Sequence, residues 1–240
     1  MDRLYVVGDG HIDRSEVGLA DFLRFLDQVK GPGRTLCILG DLFDVWLGIP
    51  KLLAPYHRRV LDKLHEVRAA GTVVKYAEGN RDFFLARFQD RPFAQVGSEH
   101  LEEEIGGRRL FLAHGDLVNS LDRQYLLWRR FSKTSAGRLL MTLLPGAVGR
   151  RLAYGLEAWM RGRNLNHKMR FPEAECLRFC RSVFKNRYDA VVFGHFHQER
   201  RLVLREDDQE RAIYILPAWK ESRRYLVFDG RGQGWYEGLA

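Results

Sequence analysis

The 240-residue sequence lacks the features on which secreted and membrane-spanning proteins depend. It has only three cysteines, Cys37, Cys176 and Cys180, and their apolar surroundings predict reduced core thiols in a cytosolic protein. No apolar run approaches the roughly 18 residues of a membrane span, and the first residues form a strand pattern instead of a signal peptide. We therefore expect neither a disulfide framework nor a membrane anchor.

Acidic residues are scarce in one part of the chain. Between Arg123 and Arg170 there are eleven Lys or Arg and a single acid, Glu157, and the whole chain carries a net charge of +8. A basic surface suits a polyanionic partner: nucleic acid, an anionic membrane face or a phosphorylated substrate. The sign of the charge alone leaves all three open.

The first half of the chain alternates strand-like and helix-like patterns. Apolar runs predict strands over 3–7, 34–39 and 72–77, and apolar residues at helical spacing predict helices over 19–29 and 55–70. This β-α-β-α-β order predicts a parallel sheet covered by helices. Later segments add a hairpin, a helix and four more strands, which are 101–105 with 109–113, 172–184, 190–193, 201–205, 211–216 and 223–228.

Residues 117–172 interrupt this rhythm. They show long amphipathic helical patterns and no convincing strand, and Pro145-Gly146 divides them into a helical hairpin. We interpret 117–172 as a helical lid inserted into a core formed by 1–116 and 173–240. Most of the lid's leucines and aromatics are expected to pack its own helices, and a minority to line a groove for an apolar ligand.

Five strand-like runs end in residues that bind metals. These residues are Asp9 and His11, Asp41, Asn80, His114, and the pair His195 and His197. Each motif alone is more often a turn or a hydrogen-bonded loop. Five in succession, each after its own apolar run, predict a real metal site. The i, i+2 spacing of the two histidines places both on one face of an extended backbone.

The donor types indicate which ions and which chemistry to expect. Carboxylate, carbonyl and imidazole ligands suit hard divalent ions such as Mn²⁺ or Mg²⁺. Asp41 offers two oxygens, enough to bridge two ions about 3.5–4 Å apart, the separation used for phosphoester hydrolysis. We therefore predict a two-metal hydrolytic site bridged by Asp41. The remaining histidines have no such partners and are expected on the surface; they are His57, His65, His100 and His167.

The ordered set D-x-H, G-D, G-N-R-D, H and G-H-x-H resembles the calcineurin-like metallophosphoesterase superfamily. The resemblance covers most of the chain and implies an α/β fold, with a metallophosphoesterase β-sandwich core flanked by helices. It also implies two ligand sets that share Asp41. One set is Asp9, His11, Asp41 and His197, and the other is Asp41, Asn80, His114 and His195.

Within the superfamily the sequence is most similar to the UDP-2,3-diacylglucosamine pyrophosphatase family of lipid A biosynthesis. The likeness rests on 38–46, 79–83, 114–116 and Ala218-Trp219; Lys220 follows where that family usually has His. It implies two Mn²⁺ (or Mg²⁺), with metal-bound water attacking the α-phosphate to give UMP and 2,3-diacylglucosamine 1-phosphate. It also implies a cytoplasmic enzyme peripheral on the anionic inner membrane. The implied catalytic residues are Asp41, Asn80, Arg81 and His114.

Arg81 and the lid bear on the substrate. A phosphate leaving group needs charge stabilisation more than a general acid, and the permanent cation of Arg81 suits a diphosphate. A basic and apolar lid suits an amphiphile with a phosphorylated head, and also an anionic bilayer. The substrate contacts implied by the resemblance are Asn80, Arg81, Asp122, Tyr125, Asn164, Lys168 and His195.

Other readings stay open. Asp122 equally suits a helix N-cap, and Tyr125 a lid-packing aromatic. The same fold could act on another nucleotide diphosphate, a cyclic nucleotide or nucleic acid. A non-catalytic binding module is disfavoured because all seven predicted ligands are present.

Overall fold

The computed structural model describes residues 2–13, 15–118, 134–152, 154–155, 171–206 and 209–240. In chain order the strands are β1 (Arg3–Val7), β2 (Arg34–Leu39), β3 (Trp46–Leu47), β4 (Val73–Ala77), β5 (Asp82–Phe83), β6 (Gln95–Gly97), β7 (His100–Ile105), β8 (Arg108–Ala113), β9 (Ala190–Phe193), β10 (Arg200–Glu206), β11 (Gln209–Ile215), β12 (Arg224–Phe228) and β13 (Gly234–Gly238). The α-helices are α1 (Glu16–Gln28), α2 (Pro55–Ala69), α3 (Ser135–Leu143), α4 (Glu173–Phe184) and α5 (Trp219–Ser222).

Two large sheets contain most of these strands. The first has the order β13-β12-β1-β2-β4-β6. Strands β1, β2, β4 and β6 are parallel, β12 is antiparallel to β1, and β13 is antiparallel to β12. The second has the order β10-β11-β9-β8-β7, with β8, β9 and β11 parallel at its centre. A small third sheet pairs β3 with β5.

The period of two along each strand explains how the layers stack. In β1, Leu4 and Val6 point into an apolar layer that also contains Leu110 and Val192 of the second sheet. Tyr5 and Val7 point the other way, into the layer formed with α1 and α2. A strand buried on both faces reads as a continuous apolar run, which is the signal that β1 and β2 carry.

Helix α4 covers the outer face of the second sheet. Its residues Cys176, Cys180 and Phe184 pack with Val191 and Ile213 in a third apolar cluster. The result is two stacked sheets with helices outside each, so the expected mixed α/β sandwich flanked by helices is confirmed.

Several short strands and one short helix were not predicted from the hydrophobic periodicity of the sequence. Strands β3, β5 and β6 and helix α5 have four residues or fewer, too short for a periodic signal. Strand β13 pairs along β12 at the sheet edge, and its sequence Gly-Trp-Tyr-Glu-Gly alternates only weakly.

The expectation that His57 is a surface residue was wrong. His57 is buried, with its ring stacked on Tyr56 and 4.3 Å from that of Phe43. Its Nδ1 accepts a hydrogen bond from the Ala54 amide at 3.1 Å, and its Nε2 lies 3.1 Å from the Val45 carbonyl oxygen. The ring therefore ties the start of α2 to the loop after β2.

The predicted lid is described only in part. Helix α3 ends at Leu143, the chain turns at Pro145, and residues 146–152 are again helical. Lys51 Nζ donates hydrogen bonds to the carbonyls of Thr142 and Leu144, which joins this hairpin to the rest of the chain. The division into core and lid stays a prediction. Among the described residues, no helix is both long and apolar enough to span a bilayer.

Candidate functional site

The predicted ligands meet at one edge of the two sheets. The pairs Val7–Ile38 and Leu39–Ala77 align the carboxyl ends of β1, β2 and β4, and Ala113–Phe193 aligns those of β8 and β9. The loops that leave these ends carry all seven residues. The carboxyl edge of parallel strands is where α/β folds place their chemistry.

Five of the seven have an unusual backbone. Asp9, His11, Asp41, His195 and His197 have φ between 40° and 67°, in the left-handed region. Non-glycine residues avoid this region, and each such conformation costs about 1–3 kcal/mol unless its surroundings enforce it. Concentrating five of them in one place indicates that these loops are shaped for the position of their side chains.

Asp9, His11 and His197 form one group. The Nε2 atoms of the two histidines are 3.4 Å apart. Asp9 Oδ1 lies 3.8 Å from His11 Nε2 and 3.2 Å from His197 Nε2. These three side chains therefore face a common point.

Asp41, Asn80, His114 and His195 form a second group around one imidazole. His114 Nε2 lies 2.9 Å from Asn80 Oδ1, 3.2 Å from His195 Nδ1 and 3.7 Å from Asp41 Oδ1. The other nitrogen of His114, Nδ1, lies 2.9 Å from the Leu39 carbonyl oxygen. A carbonyl accepts only from an N–H, so this contact assigns a proton to Nδ1 and directs Nε2 toward the other members of the group.

The two groups share a carboxylate. Ligand atoms of Asp9, His11 and His197 lie within 4.8 Å of one another, as do those of Asp9, Asp41 and His114. In this arrangement the shared residue is Asp9, whose Oδ2 also accepts a hydrogen bond from the His195 amide at 2.7 Å. The bridging role of Asp41 stays a prediction.

Asp82 is a site residue whose role the sequence did not reveal. Its side chain is fully buried, and Oδ2 accepts hydrogen bonds from the Asp41 amide at 2.8 Å, the Gly79 amide at 2.9 Å and the Tyr76 hydroxyl at 2.8 Å. It thereby fixes the left-handed turn at Asp41 to the loop that carries Asn80. Its place in the Gly-Asn-Arg-Asp motif was the available signal.

Two glycines let these loops approach each other. A Cβ on Gly79 would lie 2.4 Å from Asp41 Oδ1, and one on Gly40 would lie 2.6 Å from the Gly79 backbone. Gly40 also has φ of 70°. Both positions therefore exclude any side chain.

Two cations lie beside the ligands. Arg81 donates its amide to Asp41 Oδ1 at 2.9 Å, and its Nε lies 3.4 Å from Asp41 Oδ2. Arg81 Nη1 and Lys220 Nζ each lie 3.9 Å from Asp44 Oδ1. The site thus contains buried carboxylates and imidazoles, with the positive charges of Arg81 and Lys220 beside them.

Comparison with known proteins adds the family. Residues 2–199 match the family described as calcineurin-like phosphoesterase. The chain belongs to this family. It is therefore a metallophosphoesterase, a hydrolase with metal-binding aspartates and histidines.

The phosphoesterase is also similar to curated proteins and to solved structures. UDP-2,3-diacylglucosamine hydrolase of Edwardsiella ictaluri is 27% identical over 232 residues, 94% of this chain and 88% of the relative. The protein of the same name from Ralstonia nicotianae is 34% identical over 157 residues, 65% of this chain and 59% of its own length. A solved archaeal phosphodiesterase aligns over 98% of both chains with a TM-score of 0.47 and 11% identity.

The pKa shifts in the phosphoesterase site reflect crowding of charges. Burial acts to raise the pKa of Asp9, but the imidazoles of His197, His114 and His11 outweigh it and lower that pKa. Burial raises the pKa of Asp41 against the opposing charges of His114 and Arg81. Burial, reinforced by the charge of His114, lowers the pKa of His195 to about 3. Asp9 is therefore held ionised and His195 neutral, the protonation states that metal binding needs.

The residues fit a divalent cation. Asp9 Oδ1 is buried and accepts no hydrogen bond from the described part of the chain, although two imidazoles face it. An orphaned buried carboxylate oxygen is costly, and a cation would satisfy it. The donors are oxygen and nitrogen only, which suits a hard or borderline ion and not a thiolate site.

Four predicted substrate contacts cannot be placed. Asp122, Tyr125, Asn164 and Lys168 lie outside the described residues. Their roles stay predictions.

Proposed function

We propose that this metallophosphoesterase hydrolyses the pyrophosphate bond of UDP-2,3-diacylglucosamine to UMP and 2,3-diacylglucosamine 1-phosphate. The observation that carries the proposal is the contact of Arg81 with Asp41, 3.4 Å from Nε to Oδ2. A permanent cation at this point suits cleavage of a phosphoanhydride, because the departing phosphate needs charge stabilisation and no proton. The relatives named UDP-2,3-diacylglucosamine hydrolase support the choice of substrate.

We propose two divalent ions, Mn²⁺ or Mg²⁺, in this centre. One is held by Asp9, His11, Asp41 and His197, and the other by Asp41, Asn80, His114 and His195. When bound, such a pair supplies Lewis acidity toward phosphoryl oxygens and a nucleophile at neutral pH.

The protein's own groups orient this chemistry. The Leu39 carbonyl holds the Nδ1–H of His114 and so presents Nε2 to the centre. Asp82 holds the Asp41 turn, and the amide of Arg81 holds Asp41 Oδ1. The Arg81 guanidinium, which is 11% exposed, is largely withdrawn from water, so its charge acts strongly on a diphosphate. We propose catalytic roles for Asp41, Asn80, Arg81 and His114 on this basis.

A cavity next to the start of α2 supports an amphiphilic substrate. It has a volume of about 490 Å³ and lies between α2 and the second helix of the predicted lid, where the Tyr56 and Tyr154 hydroxyls are 2.7 Å apart. Leu53 and Pro55 contribute apolar surface, and the charged residues of the lining are Arg59, Arg150 and Glu16. The volume lies within the range of about 300–1,000 Å³ that ligand pockets occupy.

UMP release from UDP-2,3-diacylglucosamine by the Mn²⁺-loaded protein tests the function. We expect release that EDTA abolishes and that Asp41→Asn lowers by at least about 100-fold, as expected when a metal ligand is lost. Arg81→Met should lower kcat by about 10²–10³-fold, the effect of removing one group that stabilises transition-state charge. Arg87→Met is the matched control, since Arg87 is exposed and lies over the Phe88 ring.

The outcomes separate the alternatives. An intact substrate after incubation with the Mn²⁺-loaded protein would refute the substrate assignment. Equal rates on UDP-glucosamine without acyl chains would assign a soluble nucleotide diphosphate instead. Hydrolysis of cyclic nucleotides or nucleic acid in preference to both would assign another phosphoester.

We also propose that the enzyme is peripheral on the cytoplasmic face of the inner membrane. Residues 134–155 contain three arginines and no acid, and they expose five large apolar side chains by 46–73%. These are Leu139, Leu140, Leu143, Val148 and Leu152. Apolar and basic side chains on adjacent helices suit the interface of an anionic bilayer.

Vesicle co-sedimentation tests this surface. The wild type should sediment with phosphatidylcholine vesicles that contain phosphatidylglycerol, and Leu139→Ser combined with Leu143→Ser should lose most of this binding. Val203→Ser, at a residue 45% exposed on β10, is the control and should bind as the wild type does. A wild type that stays in solution would refute the proposal, and dimerisation lost in the double variant would assign the surface to a second copy.

A further inference from the structure

The short helix α5 lies against the loop that carries Asp9 and His11. Trp219, its first residue, is buried with its ring 4.8 Å from that of Phe25 and 5.6 Å from that of Phe22. The Trp219 amide also donates to the Gly8 carbonyl at 3.2 Å. The next residue, Lys220, is therefore fixed at its backbone by a core anchor.

Lys220 binds the carbonyls of both ligand residues in that loop. Its amide donates to the Asp9 carbonyl at 3.3 Å, and its Nζ donates to the His11 carbonyl at 3.3 Å. Nζ also donates to Asp13 Oδ2 at 3.0 Å. The other oxygen of Asp13 accepts from the Ser15 amide at 2.6 Å, just before α1. One side chain thus links the ligand loop to the start of the helix that follows it.

The loop needs such support because of its backbone. Asp9 and His11 have φ of 53° and 40°, a conformation that persists only when its surroundings enforce it. From the β2 side, the Gly40 carbonyl accepts from the Asp9 amide at 3.2 Å, and the Asp41 carbonyl accepts from the His11 amide at 2.9 Å. These contacts hold the amides. Lys220 holds the carbonyls, that of Asp9 through its amide and that of His11 through Nζ.

We propose that Lys220 is a positioning residue for the metal centre. It keeps Asp9 and His11 in the left-handed conformation that points their side chains at His197, without itself contacting the ions. The inference rests on the proposed metal-dependent function. It follows the general behaviour of groups that orient metal ligands, whose removal costs about 10–100-fold in metal affinity.

Calorimetric titration of the metal-free protein with Mn²⁺ tests this role, with Lys220→Met and Lys220→Arg compared with the wild type. Lys220→Met keeps the apolar stem and removes the ammonium, so one of the two Mn²⁺ binding steps should weaken about 10-fold. Lys220→Arg should restore most of the affinity, because a guanidinium can donate to both a carbonyl and a carboxylate. Lys63→Met is the matched control, since Lys63 Nζ pairs with Asp27 at 2.7 Å and Glu66 at 2.9 Å.

Each outcome has a defined consequence. Lys220→Met binding Mn²⁺ as tightly as the wild type would overturn the proposal. So would a metal-free variant that melts well below the wild type and weakens both binding steps equally, because that marks a general structural role. A wild type that binds no Mn²⁺ would overturn the metal centre and this role together. A wild type that binds Mn²⁺ but leaves UDP-2,3-diacylglucosamine intact would overturn only the substrate.

Discussion

Replacing Asp82 should loosen the turn at Asp41 and weaken the metal centre. Asp82 Oδ2 accepts three hydrogen bonds in a fully buried setting, from the amides of Asp41 and Gly79 and from the Tyr76 hydroxyl. Asp82→Ala leaves three buried donors without an acceptor, each costing about 1–3 kcal/mol. We therefore expect the free energy of unfolding to fall by about 3–9 kcal/mol, a large share of the roughly 5–15 kcal/mol typical of a folded domain.

Asp82→Asn separates charge from shape. The amide oxygen of asparagine can accept the same three hydrogen bonds, but its NH₂ group would take the buried position of Oδ1, which has no hydrogen-bond partner in the described part of the chain. The expected fall in unfolding free energy is about 1–2 kcal/mol, so this variant stays folded even if Asp82→Ala does not. Because the Asp41 turn stays in place, Mn²⁺ affinity should fall less than the roughly 10–100-fold expected for Asp82→Ala.

Urea unfolding of the metal-free variants at pH 7.5, followed by tryptophan fluorescence, measures the first effect. Calorimetric Mn²⁺ titration measures the second. Asp62→Ala, on the exposed face of α2, is the control and should change the unfolding free energy by no more than about 0.5 kcal/mol. If Asp82→Ala unfolds at the wild-type urea concentration and binds Mn²⁺ with wild-type affinity, the reasoning fails.

Three further changes have defined outcomes. Gly79→Ala should lower Mn²⁺ affinity in calorimetry at least about 10-fold, because its methyl group would lie 2.4 Å from Asp41 Oδ1. Burial lowers the pKa of His57 from 6.5 to about 4, so the unfolded chain binds this proton more readily and stability falls as pH drops from about 6.5 toward 4. His57→Gln should flatten that fall by up to about 1.4 kcal/mol per pH unit in urea unfolding. Trp219→Ala, which empties a buried aromatic site beside Phe25, should cost about 3–5 kcal/mol in the same assay.

Matched controls keep these results specific. Gly238→Ala is the control for Gly79, since a Cβ there meets nothing within 4 Å. His65→Gln, at an exposed position of α2, should leave the pH dependence of unfolding unchanged. Trp235→Ala, at a residue 37% exposed on β13, should cost much less than the change at Trp219. A variant that behaves as its control does would contradict the argument for that residue.

The convergence of Asp9, His11, Asp41 and Asn80 could be predicted because it needs only the geometry of one parallel sheet. Parallel strands bring their carboxyl ends to one edge, so residues that follow β1, β2 and β4 must lie near one another. The left-handed backbone of Asp9, His11 and Asp41 could not be predicted, because non-glycine residues rarely adopt it and no sequence pattern marks it. The sequence therefore predicts the approximate location of the ligand residues, but it does not predict the directions of their side chains.

The error at His57 had an available signal. In α2 the buried positions are Tyr56, His57, Val60, Leu61, Leu64 and Val67. His57 lies three and four residues before Val60 and Leu61, so helical periodicity alone assigns it to the buried face. The surface expectation rested only on the lack of metal-binding partners near His57 in the sequence, and it did not use the helical periodicity. The role of Lys220 had no such signal in the sequence, because its contacts depend on where α5 packs against the loop after β1.

Asp41 shows why the Gly-Asp pair is more than a source of ligand atoms. Its amide donates to Asp82, its carbonyl accepts from the His11 amide, and its carboxylate meets Arg81 and His114. One residue therefore joins the loops after β1, β2, β4 and β8. Asparagine could reproduce the backbone contacts and part of the side-chain contacts, but it would remove one of the carboxylates beside the Arg81 guanidinium, Asp44 being another. The requirement for a carboxylate thus has an electrostatic cause within the protein itself, in addition to any bound ion.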